Sequence, residues 1–241
     1  MLQTNVESTA HWKRYAEIHI RLYPYLRALA VADAEARTDV AAGHGRLPLW
    51  TPLPVLFPDD EAMWPILDQV LLGPSLLVAP VVSEGALGRD VILPAGRFVP
   101  FPMPGAPEGS LGASREAFVG PGTFAVDAVV TEIPVFMPAG AIVPLTAEPA
   151  QTLLEVGDGE LADLSSTTGD REVFVALGKS GSFVEEDGAL VALDDDGTAI
   201  PDDADDDGAV IVVGDGTIVG DGFTVTLAGQ PATRRTRVVF R

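Results

Sequence analysis

Between residues 9 and 37 apolar side chains return at every third or fourth position: Trp12, Tyr15, Ile18, Leu22, Leu26 and Leu29. That spacing lays one apolar stripe along a helix. Ser8 or Thr9 can cap its start, and the Ala-rich ALAVADAEA carries it on by propensity. Pro24 sits inside the pattern. It has no amide to give to the carbonyl of Ile20, so a kink is expected there. TDVAAGHGR ends the helix. LPLWTPLPVLF (47–57) predicts a short buried strand running into a loop. PDDEAMW predicts one helical turn started by Pro58 or Asp59.

From residue 68 the period changes. DQVLLGPSLLVAPVV (68–82) carries one charge, at its first residue, and two prolines. It is too short and interrupted to cross a bilayer, which takes about 20 apolar residues. Leu71–Val82 instead fits core strands packed on both faces. DVILPAG, RFVPF, AFVGPGTFAVDAVV, IPVFM and AIVPL follow, each bounded by Gly or Pro. TLLEV, REVFVAL, SFVEEDGALVAL, AVIVVGDGTIVGDGFTVTLAG and TRVVF continue the pattern. Such segments predict twelve to fourteen strands arranged as sandwiches rather than βαβ units. The pairs Asp215-Gly216 and Asp221-Gly222 are hairpin or turn signals. A weak boundary falls near TAEPAQ (146–151), and ALDDDGTAIPDDADDDGA predicts an exposed acidic loop. A lone helix with an apolar stripe and no second helix of similar length needs a partner to cover it.

Composition narrows the chemistry. The 241 residues, 47% hydrophobic, suffice for one large or two small cores. Without cysteine there is no disulfide framework and no thiolate chemistry. The net charge of −20 is uneven: residues 151–241 carry 6 basic and 19 acidic side chains. This disfavours nucleic acid and anionic membrane surfaces as partners, since both need a cationic surface. The first 25 residues show no basic-then-apolar signal segment, which leaves the compartment open.

Candidate chemical groups are sparse. His11, His19 and His44 have no metal-ligand spacing, and no metal or cofactor is called for. Asp203, Asp205, Asp207 and Gly208 open like a calcium loop, but the twelfth position is Gly214 instead of a bidentate Glu. Ser75, Ser83 and Ser110 lie outside any G-x-S-x-G elbow. The glycines of VGDGTIVGDG precede no helix, so turns suit them better than phosphate binding. Of the tryptophans, Trp12 and Trp64 are expected to pack, and Trp50 to line a pocket if any does.

In order along the chain, several blocks resemble glycoside hydrolase family 31, the α-glucosidases and related α-glycosidases. Arg21 to Leu26, RLYPYL, is similar to the family's "RYxLLPYLY". Thr51-Pro52-Leu53 with Phe57 to Asp60 resembles "RPLxxxFPxD". Asp68-Gln69 with Leu71 to Val81 resembles "DQFLLGPxLLVAPV". Val91 to Phe101 is similar to "VYLPxGxWYDF", Ile133 to Leu145 to "IPVFVRAGAIIPL", and Phe183 to Gly188 to "LYEDDG". The resemblance covers residues 11–148 well and 149–241 loosely.

The resemblance implies a mainly β chain. Residues 1–62 would be the end of a (β/α)8 barrel, one helix and one strand. Two β-sandwich domains would follow, a proximal one at 63–148 and a distal acidic one at 149–241. The orphan helix would then find its partner in the rest of the barrel. The implied activity is retaining hydrolysis of α-glycosides, which takes two carboxyl groups about 5–5.5 Å apart. In the family both are aspartates on earlier barrel strands, and no stretch here matches either. No catalytic residue is assigned, and no substrate-binding residue. The implied partner is an α-glycoside or glycan held through a parent barrel. Thr51, Phe98, Pro100 and Met137-Pro138 depart from the family pattern, replacing two arginines and an aspartate among others. A second reading stays open: a non-catalytic carbohydrate-binding or adhesion module, calcium being its optional ligand.

Overall fold

The computed structural model describes residues 6–38, 48–106, 108–128, 132–148, 169–198 and 209–241. His44, TLLEV (152–156) and Asp203 to Gly208 lie outside them.

The predicted helix is two: α1, Val6–Arg21, and α2, Tyr23–Thr38. The break falls at Leu22, on the turn that Pro24 cannot close. Leu22 N still reaches Ile18 O at 2.9 Å and Leu26 N reaches Leu22 O at 2.9 Å, so the axis bends without parting. The buried face runs Ile18, Leu22, Tyr25, Ala28. Beyond the bend it passes through Tyr25 and Ala28 rather than Leu26 and Leu29, which are half-buried at its flank.

Fourteen strands are described. In chain order they are β1 (Trp50–Pro52), β2 (Val70–Leu72), β3 (Leu76–Val78), β4 (Gly88–Pro100), β5 (Phe118–Asp127), β6 (Val135–Pro138) and β7 (Ile142–Thr146). Then come β8 (Arg171–Val175), β9 (Gly181–Val184), β10 (Leu190–Asp195), β11 (Ala209–Val213), β12 (Gly216–Gly220), β13 (Phe223–Ala228) and β14 (Arg235–Phe240). They form one six-stranded sheet, β1-β2-β3-β6-β4-β5, and two four-stranded sheets, β12-β13-β10-β9 and β11-β14-β8-β7. The strand β1 is an antiparallel edge of the six-stranded sheet, Trp50 opposite Leu72. The strand β7 pairs with β8 and so shares a sheet with strands from beyond residue 149.

The six-stranded sheet is covered on both faces, as the 68–82 run predicts. Leu76 and Leu77 are adjacent and both buried, but they enter different cores. Strand alternation explains this, because successive side chains point to opposite faces. Leu77, with Val91, Leu93, Phe98 and Phe136, packs under Leu53 and Met63 of the 53–66 segment. That segment forms a short helix, Leu53–Leu56, and a 3-10 turn, Glu61–Met63. Its cap is Asp60, whose carboxylate accepts from Ala62 N at 3.1 Å, one residue past the expected Asp59. The strand following Leu76 stops at Val78, short of Val82, which is exposed. DVILPAG and RFVPF are one strand, β4, whose pairing with β5 shifts register between Leu93 and Gly96.

Leu76 and the other face belong to the main core, shared by both helices and both four-stranded sheets. Ile142, Val143, Val173, Val175 and Val238 from one sheet meet Phe183, Val191, Leu193 and Leu227 from the other. Asp221-Gly222 makes the expected two-residue hairpin between β12 and β13. Asp215 instead marks a crossing between sheets, and its carboxylate accepts from Gln230 N at 2.7 Å.

The orphan helix therefore has its partner in this chain, since its buried face rests on the β-sheets. Where the junction between Gly140 and Gly181 is tightest, a Cβ on Gly181 would stand 2.0 Å from the Gly140 carbonyl oxygen. Gly181→Ala forces two backbones apart. It should destabilise the fold by about 1–3 kcal/mol, read as a lower urea midpoint.

Candidate functional site

All three tryptophans are exposed: Trp12 76%, Trp50 52% and Trp64 59%. The packing expected of Trp12 and Trp64 is not found. Trp12 stands on the flank of α1 away from the buried face, and Trp64 spends its indole N–H on Pro58 O at 3.0 Å. Trp50 does line a cavity. An apolar groove of about 350 Å³ runs between α1–α2 and the β1–β3 edge, with Tyr15, His19, Leu26, Trp50, Val78 and Met103 among its walls.

His11 packs against Tyr15 with the rings tilted by 54° and their centroids 4.7 Å apart, while His19 lines the groove. Among the described residues no three His, Cys, Asp or Glu side chains converge on a metal position. Gly214 is a turn residue at φ +66, its amide donating to Arg234 O. Ser110 is buried, Ser83 is exposed, and Ser75 acts through its amide. The family departures sit in structural places. Phe98 and Met137 are core residues, and Pro100 and Pro138 occupy paired strand positions. Thr51 is buried and its hydroxyl donates to Pro48 O at 2.6 Å.

Three of the resembling blocks meet at one side chain. Tyr25, fully buried, comes from RLYPYL. Its hydroxyl donates to Leu72 O at 2.7 Å and accepts from Ser75 N at 3.1 Å, the two sides of the LLGPS turn. Its ring stacks on Phe183 of FVEEDG, centroids 5.3 Å apart. Burial pushes the Tyr25 phenol up to about 12, against the pull of the Ser75 hydrogen bond. Gly73 must be glycine there. Its φ is +60, and a Cβ would meet Leu29 Cδ1 at 2.4 Å and Tyr25 Oη at 2.6 Å.

Every acid of FVEEDG is paired with an arginine, and Glu185 and Asp187 share Arg234. Glu185, buried, binds Arg171 Nε at 2.9 Å, with Arg234 Nη1 at 3.6 Å. Glu186 accepts two bonds from Arg27 of α2, at 2.6 and 2.8 Å. Asp187 accepts from Arg234 at 2.6 Å and from Ala189 N at 3.0 Å. Arg21 adds a second tie from α1, to Glu172 at 2.6 Å and Thr146 O at 3.0 Å. Arg237 meets the same Glu172. Beside the six-stranded sheet Gln69 is fully buried, bonding Ile92 N and O at 2.9 and 2.7 Å. Arg89 ties Asp68 at 3.0 Å and Pro80 O at 2.7 Å. The buried carboxylates are thus engaged: Glu185 by arginines, Glu132 by the amides of Leu111 and Gly112, Asp195 by those of Gly178 and Gly197.

The acid turn gives the fold an acid limit. The Arg27 hydrogen bonds hold Glu186 below its usual range. Burial pushes Asp187 up, but Ala189 N and Arg234 outweigh it, and it too ends below its ordinary 3.8. Depressed folded values mean stability fully present above the unfolded pKa and lost as pH falls through the folded one. Thermal midpoints should be flat from pH 7 to 5 and fall below about 4, and Asp187→Asn should flatten that fall.

Sequence reasoning passed over Tyr25, Arg27, Arg171 and Arg234. One signal was available: Arg171 opens β8 and Arg234 precedes β14, and both strands end in buried apolar runs near which an unpaired charge would be costly.

The geometry defines a mainly β module with a helix pair clamped to it. Residues 46–143 match the Glycosyl hydrolase family 31 C-terminal domain. Human neutral alpha-glucosidase AB is 37% identical over 98 residues, 41% of this chain and 9% of that protein. A 1,6-alpha-glucosyltransferase of Sporosarcina globispora is 28% identical over 178 residues, 73% of this chain and 12% of that protein. The solved family 31 alpha-xylosidase of Xanthomonas citri superposes with a TM-score of 0.58 at 25% identity, covering 97% of this chain and 21% of that one. The chain spans 9–12% of the two curated relatives. Residues 46–143 belong to glycosyl hydrolase family 31, as the C-terminal domain of that family.

Proposed function

We propose that this chain serves as the C-terminal part of a family 31 α-glycosidase, supporting a catalytic (β/α)8 barrel and not hydrolysing glycosides by itself. In this reading residues 1–62 close the barrel, and α-glucosides or related glycans are bound through it. The observation that carries the reading is the uncovered flank of α1–α2. One face is buried on the sheets, while Trp12 is exposed and the apolar groove lined by Trp50 and Met103 stays open beside the β1 edge. Exposed aromatic surface of this kind marks an interface. The engaged state of the buried carboxylates supports the non-catalytic part, because a general acid needs a carboxyl free to exchange its proton.

The test is the size and activity of the native polypeptide. Antibody raised against the purified chain should capture a species far larger than 25.2 kDa that hydrolyses p-nitrophenyl α-glycosides. The purified 241-residue chain should not hydrolyse them. A native species of 25.2 kDa, or hydrolysis by the isolated chain, overturns the reading.

A further inference from the structure

The contacts at Tyr25 form a continuous path from the distal sandwich to the far edge of the six-stranded sheet. We propose that the 183–188 turn is a positioning element for the β1–β2 edge, acting through Tyr25. The path runs through contacts between side chains and backbone. Glu186 holds Arg27 through two short hydrogen bonds, and Phe183 stacks on Tyr25 two residues earlier in α2. The Tyr25 hydroxyl holds Leu72 O and Ser75 N on either side of the Gly73 turn. Gly73 N donates to Leu49 O at 2.8 Å, next to Trp50. Leu72 pairs with Trp50 in the sheet.

The path has no slack at its centre. The space a methyl group would need at Gly73 is already filled by Tyr25 Oη and Leu29 Cδ1, so a shift of Tyr25 must move the turn. At its far end the three residues of β1 form the sheet's edge, bonded through β2 on one side only. An edge of three residues has few bonds of its own to resist a displaced turn. Arg27 and Glu186 are exposed, so their pair adds little to global stability. Its role is where it holds α2, not how strongly it holds the fold.

Amide hydrogen exchange on the whole chain tests it. Glu186→Gln and Arg27→Gln should each speed exchange at Gly73 and Ser75 by about threefold, and amides of β10 and β13 should keep their rates. The reversed pair, Arg27→Glu with Glu186→Arg, should restore the Gly73 and Ser75 rates. Phe183→Leu, which keeps the core apolar, should act on the same two amides through the ring. Unchanged rates at Gly73 and Ser75 in the Gln variants would overturn the proposal. So would an equal rise across all strands, or a reversed pair that fails to rescue.

Discussion

Glu185→Leu should lower the free energy of unfolding by about 3–5 kcal/mol, and the melting temperature by roughly 10 °C for a chain of this size. Glu185 lies between Arg171 and Arg234, whose side chains are 6% and 2% exposed. Removing the carboxylate leaves two guanidinium groups out of water and facing one another. Asp187 and Gln230 still hold Arg234, at 2.6 and 3.2 Å, so Arg171 suffers most. The cost comes from the stranded charge more than from the lost bond. Replacing the whole cluster, Arg171→Met with Glu185→Leu and Arg234→Met, should therefore recover much of it. The neighbouring exposed Glu186→Leu should leave the melting temperature nearly unchanged. Calorimetry on the four proteins measures this. A triple variant weaker than Glu185→Leu alone would show that the cluster stabilises beyond its own desolvation.

Tyr25→Ala should cost about 3–5 kcal/mol, the range for emptying a large aromatic site. Tyr25→Phe separates the hydroxyl from the ring. It removes the hydroxyl's bonds to Leu72 O and Ser75 N, at about 1–3 kcal/mol. The phenol also sets an alkaline limit. Its folded pKa is about 12 against an ordinary 10.0. A raised folded value gives stability that is complete below the unfolded pKa and lost as pH rises through the folded one. Stability should thus fall between pH 10 and 12 with a slope approaching 1.4 kcal/mol per unit, about the value of one proton. Tyr25→Phe should lack that slope. Urea titrations at pH 8, 10 and 11 distinguish the two, and equal slopes would show that the phenol is not the controlling group.

Local grammar carried much of the fold. Pro24 placed the bend, Gly- and Pro-bounded apolar runs from residue 68 gave thirteen described strands within the expected twelve to fourteen, and Asp221-Gly222 gave its hairpin. Five motif blocks and FVEEDG pointed to the family that the comparisons show. The partnerships stayed hidden. An apolar stripe tells which side of a helix is buried and is silent on what buries it, so the sheets that cover α1–α2 could not be read from it. Arg27 and Glu186 are 159 residues apart, and Arg171 opens β8 while Glu185 follows β9 of the other four-stranded sheet. Nothing local links such pairs. The tryptophans failed for the related reason that amphipathic rings suit a core and an open surface equally well.

The order of strands in the last sheet bears on how the chain reaches its fold. The strand β14 is made last among those described, yet it lies in the interior, between β11 and β8. Until it arrives, β8 and β11 have no neighbour on that side. The sequence of β11, AVIVV, leaves Val210, Ile211 and Val213 uncovered even in the finished edge. A short β-branched run waiting for its mate invites pairing with another molecule. Five aspartates stand within the seven residues just before it, Asp202, Asp203, Asp205, Asp206 and Asp207. Like charges beside such a run oppose its pairing with a second molecule, and that repulsion needs no ligand.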